Sequence, residues 1–358
     1  MTSSLAPVEP QVEANAGYQQ LWLGNSAAAV GRFEQALRDD PAFPYRWSDL
    51  GDALLAAGDV DRARACFRRA LELGPRDPQI ALRTANFHFR AGEPDETLKL
   101  DAVVLRQVPD YDDMIFSSCV RMGGALSRIL DLAIDSNPRA AGEFFHFLGR
   151  QGGHGSEESL SIAWKWMDAR GFITRPLAVS RTTALLDHNR PEEAAAIWAK
   201  YVSPRRDSLV ENPSFEHPWL NEGFDWRLAP VNGASVTTDS AVAHAGRSSL
   251  KIRFDAVDNL DFHHVSQIVW LNPGRYRLTA WIRTEALSTD QGVGLRIAGA
   301  ATPMLTGTHD WTRLSAEFVI SGKPALERIE IVRRPSLKFD NHPHGTVWID
   351  DVEVKPAI

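Results

Sequence analysis

The chain has 358 residues, 44% hydrophobic and 24% charged, with a formal net charge of −7. That length exceeds what one hydrophobic core usually serves, so two domains are expected. The charge balance gives no general attraction to phosphate backbones or anionic lipid, so nucleic acid is not an expected partner.

Residues 1–10 form a polar lead-in. "MTSSLAPVEPQVEANAGYQQ" has neither the basic region nor the apolar region of a secretory signal, and nowhere do about eighteen apolar residues run together. No membrane span is expected, and the address of the protein must be argued from its domains.

Residues 11–206 read as helical. "YRWSDLGDALLAAGDVDRARACFRRALELGP" has the spacing of a helix–turn–helix unit of about thirty-four residues. Trp47, Leu50, Gly51, Leu54, Gly58, Ala63, Phe67, Ala70 and Pro75 carry the pattern. It resembles a tetratricopeptide repeat, and tandem units are clearest over 10–43, 44–77 and 78–111. Small Gly51 and Ala63 fall where the two helices cross, Phe67 and Trp47 fill the wider gaps, and Pro75 stops the second helix. The third unit departs from the pattern: Thr97 and Asp101 stand where a small residue and a large apolar one are expected. That unit is expected to be distorted or to face a different neighbour. By resemblance, the concave surface of such an array is where a protein partner docks.

From Met114 to Val202 the amphipathic signal continues, with roughly five or six more helices. In "NRPEEAAAIW", Pro191 suits a first helical turn. "GRQGGHGSEES" is a loop between helices, with no strand before it and no lysine directly after its glycines, so a phosphate cradle is not expected. Cys66 and Cys119 lie in helical patterns without metal-ligand spacing and read as buried thiols.

At "SPRRDSLVENPSFE" the pattern switches to short β-branched and aromatic segments. "ASVTTDS", "SSLKIRF", "HHVSQIVWL", "RYRLTAWIRT", "GVGLRIA", "TRLSAEFVI", "RIEIVRR" and "GTVWIDDVEV" are separated by turn residues, as in an antiparallel β-sandwich. The fold class is therefore a multidomain α plus β chain, with the sandwich over 208–356. "SPRRDSLVE" holds few flexible residues, so a fixed junction is expected.

"NPSFE", "AHAGRSSLKI", "VSQIVWLNPGRYRLTAWIRT" and "GTVWIDDVEV", in that order, resemble the galactose-binding-like jelly rolls of carbohydrate-binding modules. The resemblance implies a glycan or polysaccharide ligand and a structural calcium held by Glu216 and Asp350, with Asp351 beside them. The same carboxylates also suit turn capping or arginine pairing. It further implies a role in bacterial envelope or exopolysaccharide assembly, hence an extracytoplasmic address.

Sugar recognition favours aromatic platforms. Strand alternation puts Tyr276, Leu278, Ala280 and Ile282 on one face and Arg275, Arg277, Trp281 and Arg283 on the other. Trp281 and Arg283 are thus candidate sugar contacts, extended by Arg296 if its strand is adjacent. Trp219 and Trp226 of the opening loop and Gln267, in a polar gap of its strand, complete the candidates. Cation–π stacking on the outside of the sheet and a structural hydrogen bond from Gln267 are the alternatives. Trp311 and Trp348 read as packing residues. Asp340, His342 and His344 fall in a loop around Pro343. No G-x-S-x-G, H-E-x-x-H or P-loop occurs, so catalysis and an organic cofactor are not expected. The alternatives are a purely protein-binding scaffold with a structural sandwich, or an enzyme working in a groove.

Overall fold

The computed structural model describes residues 10–151, 156–203, 208–339 and 341–357. The chain divides into two compact units, one ending at Ile173 and the other beginning at Thr174.

The first unit is all helical. Antiparallel pairs are formed by α1 (Pro10–Trp22) with α2 (Ser26–Asp39), α3 (Pro44–Ala56) with α4 (Val60–Leu73), and α5 (Pro78–Arg90) with α6 (Pro94–Leu105). Then follow α7 (Asp112–Met122), α8 (Leu126–Ile129) running into a π-helical turn over Leu130–Ile134, α9 (Pro138–Gln151) and α10 (Ser156–Arg170). Proline opens α3, α5 and α6, where its missing N–H has no intrahelical partner to lose. Asp59 and Asp77 cap α4 and α5 by accepting backbone N–H groups. Gly24, Gly58 and Gly92 occupy the equivalent turn of each pair with φ of +78°, +85° and +77°, a conformation that costs a side chain strain.

The pairs close on matched small and large residues. The Phe33 ring lies so close over Gly17 that a Cβ there would come within 2.7 Å of it, and Phe67 lies over Gly51 at 2.9 Å in the same sense. In the third pair α5 and α6 are each continuous helices, and the Thr97 hydroxyl donates across the pair to the Ala85 carbonyl at 3.5 Å.

An ion-pair ladder links the first helices of successive repeats. Asp49, almost wholly buried, accepts the Tyr18 hydroxyl and the Arg83 Nη1 at 2.9 Å, while Arg83 Nη2 reaches Asp52 at 2.6 Å. Burial and the neighbouring Asp49 push the Tyr18 phenol up to about 12. Cys66 and Cys119 are free and buried, as expected.

The second unit opens with α11 (Arg175–Asp187) and α12 (Pro191–Ile197), the latter continuing as a π-helical turn over Trp198–Val202. These helices group with the sandwich, although the sequence reading counts them with the repeats. Trp198, fully buried, meets Phe224 edge-on with ring centroids 5.9 Å apart, and Gly223 donates its N–H to Thr183 Oγ1 at 3.0 Å. Residues 204–207 of the expected junction lie outside the described residues. Just beyond them, Glu211 exchanges two 2.8 Å hydrogen bonds with Gln267.

The described residues then form ten strands: β1 (Arg227–Leu228), β2 (Ala234–Asp239), β3 (Ser249–Asp255), β4 (Phe262–Leu271), β5 (Gly274–Leu287), β6 (Gly294–Ile297), β7 (Ala300–Ala301), β8 (Gly307–Ile320), β9 (Ala325–Arg333) and β10 (His344–Pro356). They make two five-stranded antiparallel sheets, ordered β1-β4-β9-β6-β7 and β2-β3-β10-β5-β8. From β3 onward the chain alternates between the sheets in jelly-roll fashion, apart from the β6–β7 hairpin, which stays within one sheet. Leu250, Ile252, Leu278, Ile282, Ile349 and Val354 from one sheet meet Val265, Val269, Leu295 and Ile331 from the other in a single core. Among the described residues no helix is long and apolar enough to cross a membrane.

Candidate functional site

The outer face of the β2-β3-β10-β5-β8 sheet gathers aromatic and charged side chains. Alternation along β5 holds as read from the sequence: Tyr276, Leu278, Ala280 and Ile282 enter the core, so Trp281 and Arg283 face outward. The register sets Trp281 between Asp350 of β10 and Arg313 of β8, and Arg283 opposite Trp348.

A bulge in β10 between Asp350 and Glu353 turns two successive carboxylates toward the loop before β3. Asp350 Oδ2 accepts the N–H of His244 at 2.8 Å and of Ala245 at 3.2 Å, and its Oδ1 accepts the N–H of Asp351 at 2.8 Å. Asp351 accepts the Ser214 hydroxyl at 2.6 Å, and its other oxygen lies 2.6 Å from His244 Nδ1. Thus anchored, the His244 ring stacks on Trp281 with centroids 4.0 Å apart and planes 17° from parallel, and Trp311 meets it edge-on at 5.6 Å. Trp281, Trp311 and His244 are all half-buried. The arrangement is a rigid aromatic surface fringed by guanidinium groups and a carboxylate, able to present apolar rings and hydrogen-bond donors together.

Trp348 is the packing residue expected. Its indole N–H donates to Asp239 at 3.0 Å, and Lys251 and Arg283 each lie 5.5 Å from its ring centroid. Hydrogen bonds from Trp348 and then Lys251 hold the Asp239 carboxyl down at about 2.

Other expected contacts are not brought to this face. Arg296 lies on β6, in the opposite sheet from Trp281, and is paired with Glu330 at 2.6 Å. Trp226 is fully buried in the core, donating to the Asn212 carbonyl at 3.1 Å. Trp219 packs half-buried against that core. Gln267 is fully buried and makes the structural bonds to Glu211. Of the histidine loop, Asp340 lies outside the described residues, and His342 Nδ1 stands 3.1 Å from the Ala256 carbonyl oxygen. Trp311, expected as a packing residue, instead stands half-buried at the edge of the stack, and His244 was not among the expected contacts; the quoted "AHAGRSSLKI" contains the histidine, but only the β10 bulge shows where its loop is tied.

The carboxylates expected to hold calcium are occupied by N–H groups. Glu216 Oε1 accepts from the backbone of Arg247 at 2.6 Å and Ser248 at 3.1 Å, and the Arg247 N–H is the main cause that holds its carboxyl below the usual range. Burial pushes Asp350 up to about 6 despite its three N–H donors. These donors take up part of the acceptor capacity that a cation needing several oxygen ligands would draw on. Among the described residues no three His, Cys, Asp or Glu side chains group to hold a metal.

In the first unit, a cavity of about 510 Å³ opens between α5, α6 and α7, with buried Asp101 in its lining and exposed Phe89 and Met114 at its mouth. Asp101 accepts the Cys119 thiol at 3.6 Å, and burial pushes its carboxyl up to about 7.

The first unit carries tetratricopeptide repeats in its N-terminal part, and the second contains a β-sandwich. Residues 48–112 and 18–38 match tetratricopeptide repeat families. The chain is similar to mouse (Mus musculus) Superkiller complex protein 3, 26% identical over 170 residues, which make up 46% of this chain and 10% of that protein. The chain thus spans about a tenth of the length of that curated relative. Among solved structures it is similar to TmCBM61 in complex with β-1,4-galactotriose (19% identity, 42% of this chain and 100% of that one, TM-score 0.31). It is also similar to the first tetratricopeptide repeat domain of Spaghetti bound to an HSP90 peptide (15% identity, 34% of this chain and 95% of that one, TM-score 0.30).

Proposed function

We propose that the protein is a non-catalytic adaptor: the repeat array docks a protein partner, and the sandwich binds a glycan on the face built around Trp281. The observation that carries the second half is the stack of His244 on Trp281 with Trp311 at its edge, held outside the core and bordered by Arg283, Arg313 and Asp351. One indole face is already covered by the imidazole, so the sugar would lie along the combined edge of the three rings and take hydrogen bonds from the guanidinium groups. The order of jelly-roll motifs in the sequence supports the same reading. A role in bacterial envelope or exopolysaccharide assembly, with an extracytoplasmic address, follows from that resemblance.

A second reading has a specific observation in its favour. Trp198 is wholly buried against Gly223 and Phe224, so the sandwich also serves as a structural seat for α11 and α12. A glycan array probed with the full chain and with Trp281→Ala separates the two: binding that the substitution abolishes supports the adaptor, and its absence in both proteins supports the scaffold.

The edge where calcium is expected is, in this proposal, closed by hydrogen bonds from Arg247, Ser248, His244 and Ala245 to Glu216 and Asp350. A melting temperature that is the same in calcium and in chelator supports this, and a rise with calcium contradicts it.

A further inference from the structure

The third repeat lacks the ring that closes the first two. Phe33 seals α2 onto Gly17 and Phe67 seals α4 onto Gly51, whereas the corresponding places in α6 and α5 hold Asp101 and Ala85. The cavity between α5, α6 and α7 lies at this place, and both residues line it. An aspartate is an unfavourable replacement for a buried phenylalanine on stability grounds, because its charge loses hydration and gains no apolar contact.

The other buried aspartates of the array show how such a charge is normally balanced. Asp49 is paired with Arg83 at 2.9 Å, and Asp112 is paired with Arg139. Asp101, only 4% exposed, has the Cys119 thiol as its hydrogen-bond partner and no arginine, lysine or histidine paired with it among the described residues. Phe89 and Met114, each about half exposed, give the cavity mouth an apolar rim.

We propose that this cavity receives a cationic side chain, lysine or arginine, from a partner polypeptide, with the charged head paired to Asp101 and the methylene stem against Phe89 and Met114. The inference rests on the reading of the array as a protein-docking surface and specifies its anchor. A basic side chain suits the site because its stem is apolar and its head is a hydrogen-bond donor, and the desolvation of Asp101 has already been incurred in the unbound protein. Arg121, at the rim, is exposed, so an acidic partner would gain there only a hydrated surface contact.

The test uses the full chain and fluorescent dodecapeptide pools that are random except for one fixed central residue: Lys, Arg, Ala or Glu. Anisotropy titrations are run on the natural protein, Asp101→Asn and Asp101→Leu, with thermal melts confirming that both variants fold. The Lys- or Arg-fixed pool is expected to bind the natural protein about tenfold more tightly than the Ala pool, a preference that falls below about twofold in both variants. Equal binding of all pools, or a basic preference that survives Asp101→Asn, overturns the proposal. Preference for the Glu pool overturns the anchor and leaves protein docking standing. No pool binding the natural protein better than Asp101→Leu overturns the anchor and counts against docking at this groove as well.

Discussion

Asp101→Leu is predicted to stabilise the repeat unit, and to do so more at neutral than at acid pH. In the folded chain, burial raises the Asp101 carboxyl from an ordinary value of 3.8 to about 7. At about 1.4 kcal/mol for each tenfold change, holding this group costs the folded state on the order of 4 kcal/mol at pH 7.5 relative to the unfolded chain. The sign follows from proton uptake. Between the two values the folded state keeps a proton that the unfolded state has released, so stability is fullest below the lower value and is lost as pH rises through about 7. At pH 5 the cost is roughly 1.5 kcal/mol on the same basis, so about 2.5 kcal/mol of the difference should appear between pH 5 and pH 7.5.

Leucine removes that dependence and adds apolar burial of roughly 1.5–3 kcal/mol, offset by about 1–3 kcal/mol if the cavity walls must shift. Leucine is preferable to phenylalanine because the Cβ of Ala85 occupies space that Gly17 and Gly51 leave to a ring. The net gain expected at pH 7.5 is about 2.5–6 kcal/mol. Urea denaturation followed by circular dichroism at both pH values measures it. A variant less stable than the natural protein at pH 7.5, or a stability difference that is the same at pH 5, would refute the reasoning.

Gly223→Ala should destabilise the second unit by about 3 kcal/mol or more, because φ is +57° there and a Cβ would fall 2.2 Å from Trp198; urea titration reads the loss, and an unchanged midpoint contradicts it. Cys66 and Cys119 should resist alkylation by iodoacetamide in the native protein and react once it is denatured, since both are buried and burial pushes Cys66 up to about 11 and raises Cys119 as well. Mass spectrometry before and after urea decides this, and native labelling of either thiol runs against it. Asp351→Asn should weaken the contact to His244 and lower glycan affinity about threefold to tenfold by loosening the stack on Trp281. Titration of a glycan found by array measures it, and unchanged affinity means the stack does not depend on that contact.

The repeat array was legible because its constraints are local. Gly51 and Phe67 meet within one helical pair, so a fixed spacing in sequence records the contact. Sandwich strands were legible for a similar reason, since the alternation of Tyr276, Leu278, Ala280 and Ile282 shows which side chains enter the core. What sequence did not carry was the pairing of strands distant along the chain. Arg296 and Trp281 are separated by a single turn region, yet β5 and β6 belong to opposite sheets. Trp226 stands in a polar, aromatic-rich opening loop, yet its burial depends on Phe215, whose ring lies 5.1 Å away, and on the core beneath. The His244 stack depends on a bulge in β10 more than one hundred residues later, at |i−j| of 107 for its bond to Asp351. Asp101 was visible as a departure from the repeat; that it lines a cavity required the helices around it.

The central claim is tested most directly by a glycan array probed with the full chain, run beside Trp281→Ala with matched thermal melts. The account predicts that the natural protein binds at least one glycan class and that the folded variant binds it about tenfold more weakly or not at all. A folded natural protein that binds no glycan, or one whose binding survives Trp281→Ala unchanged, contradicts the claim that the Trp281 face is the recognition surface.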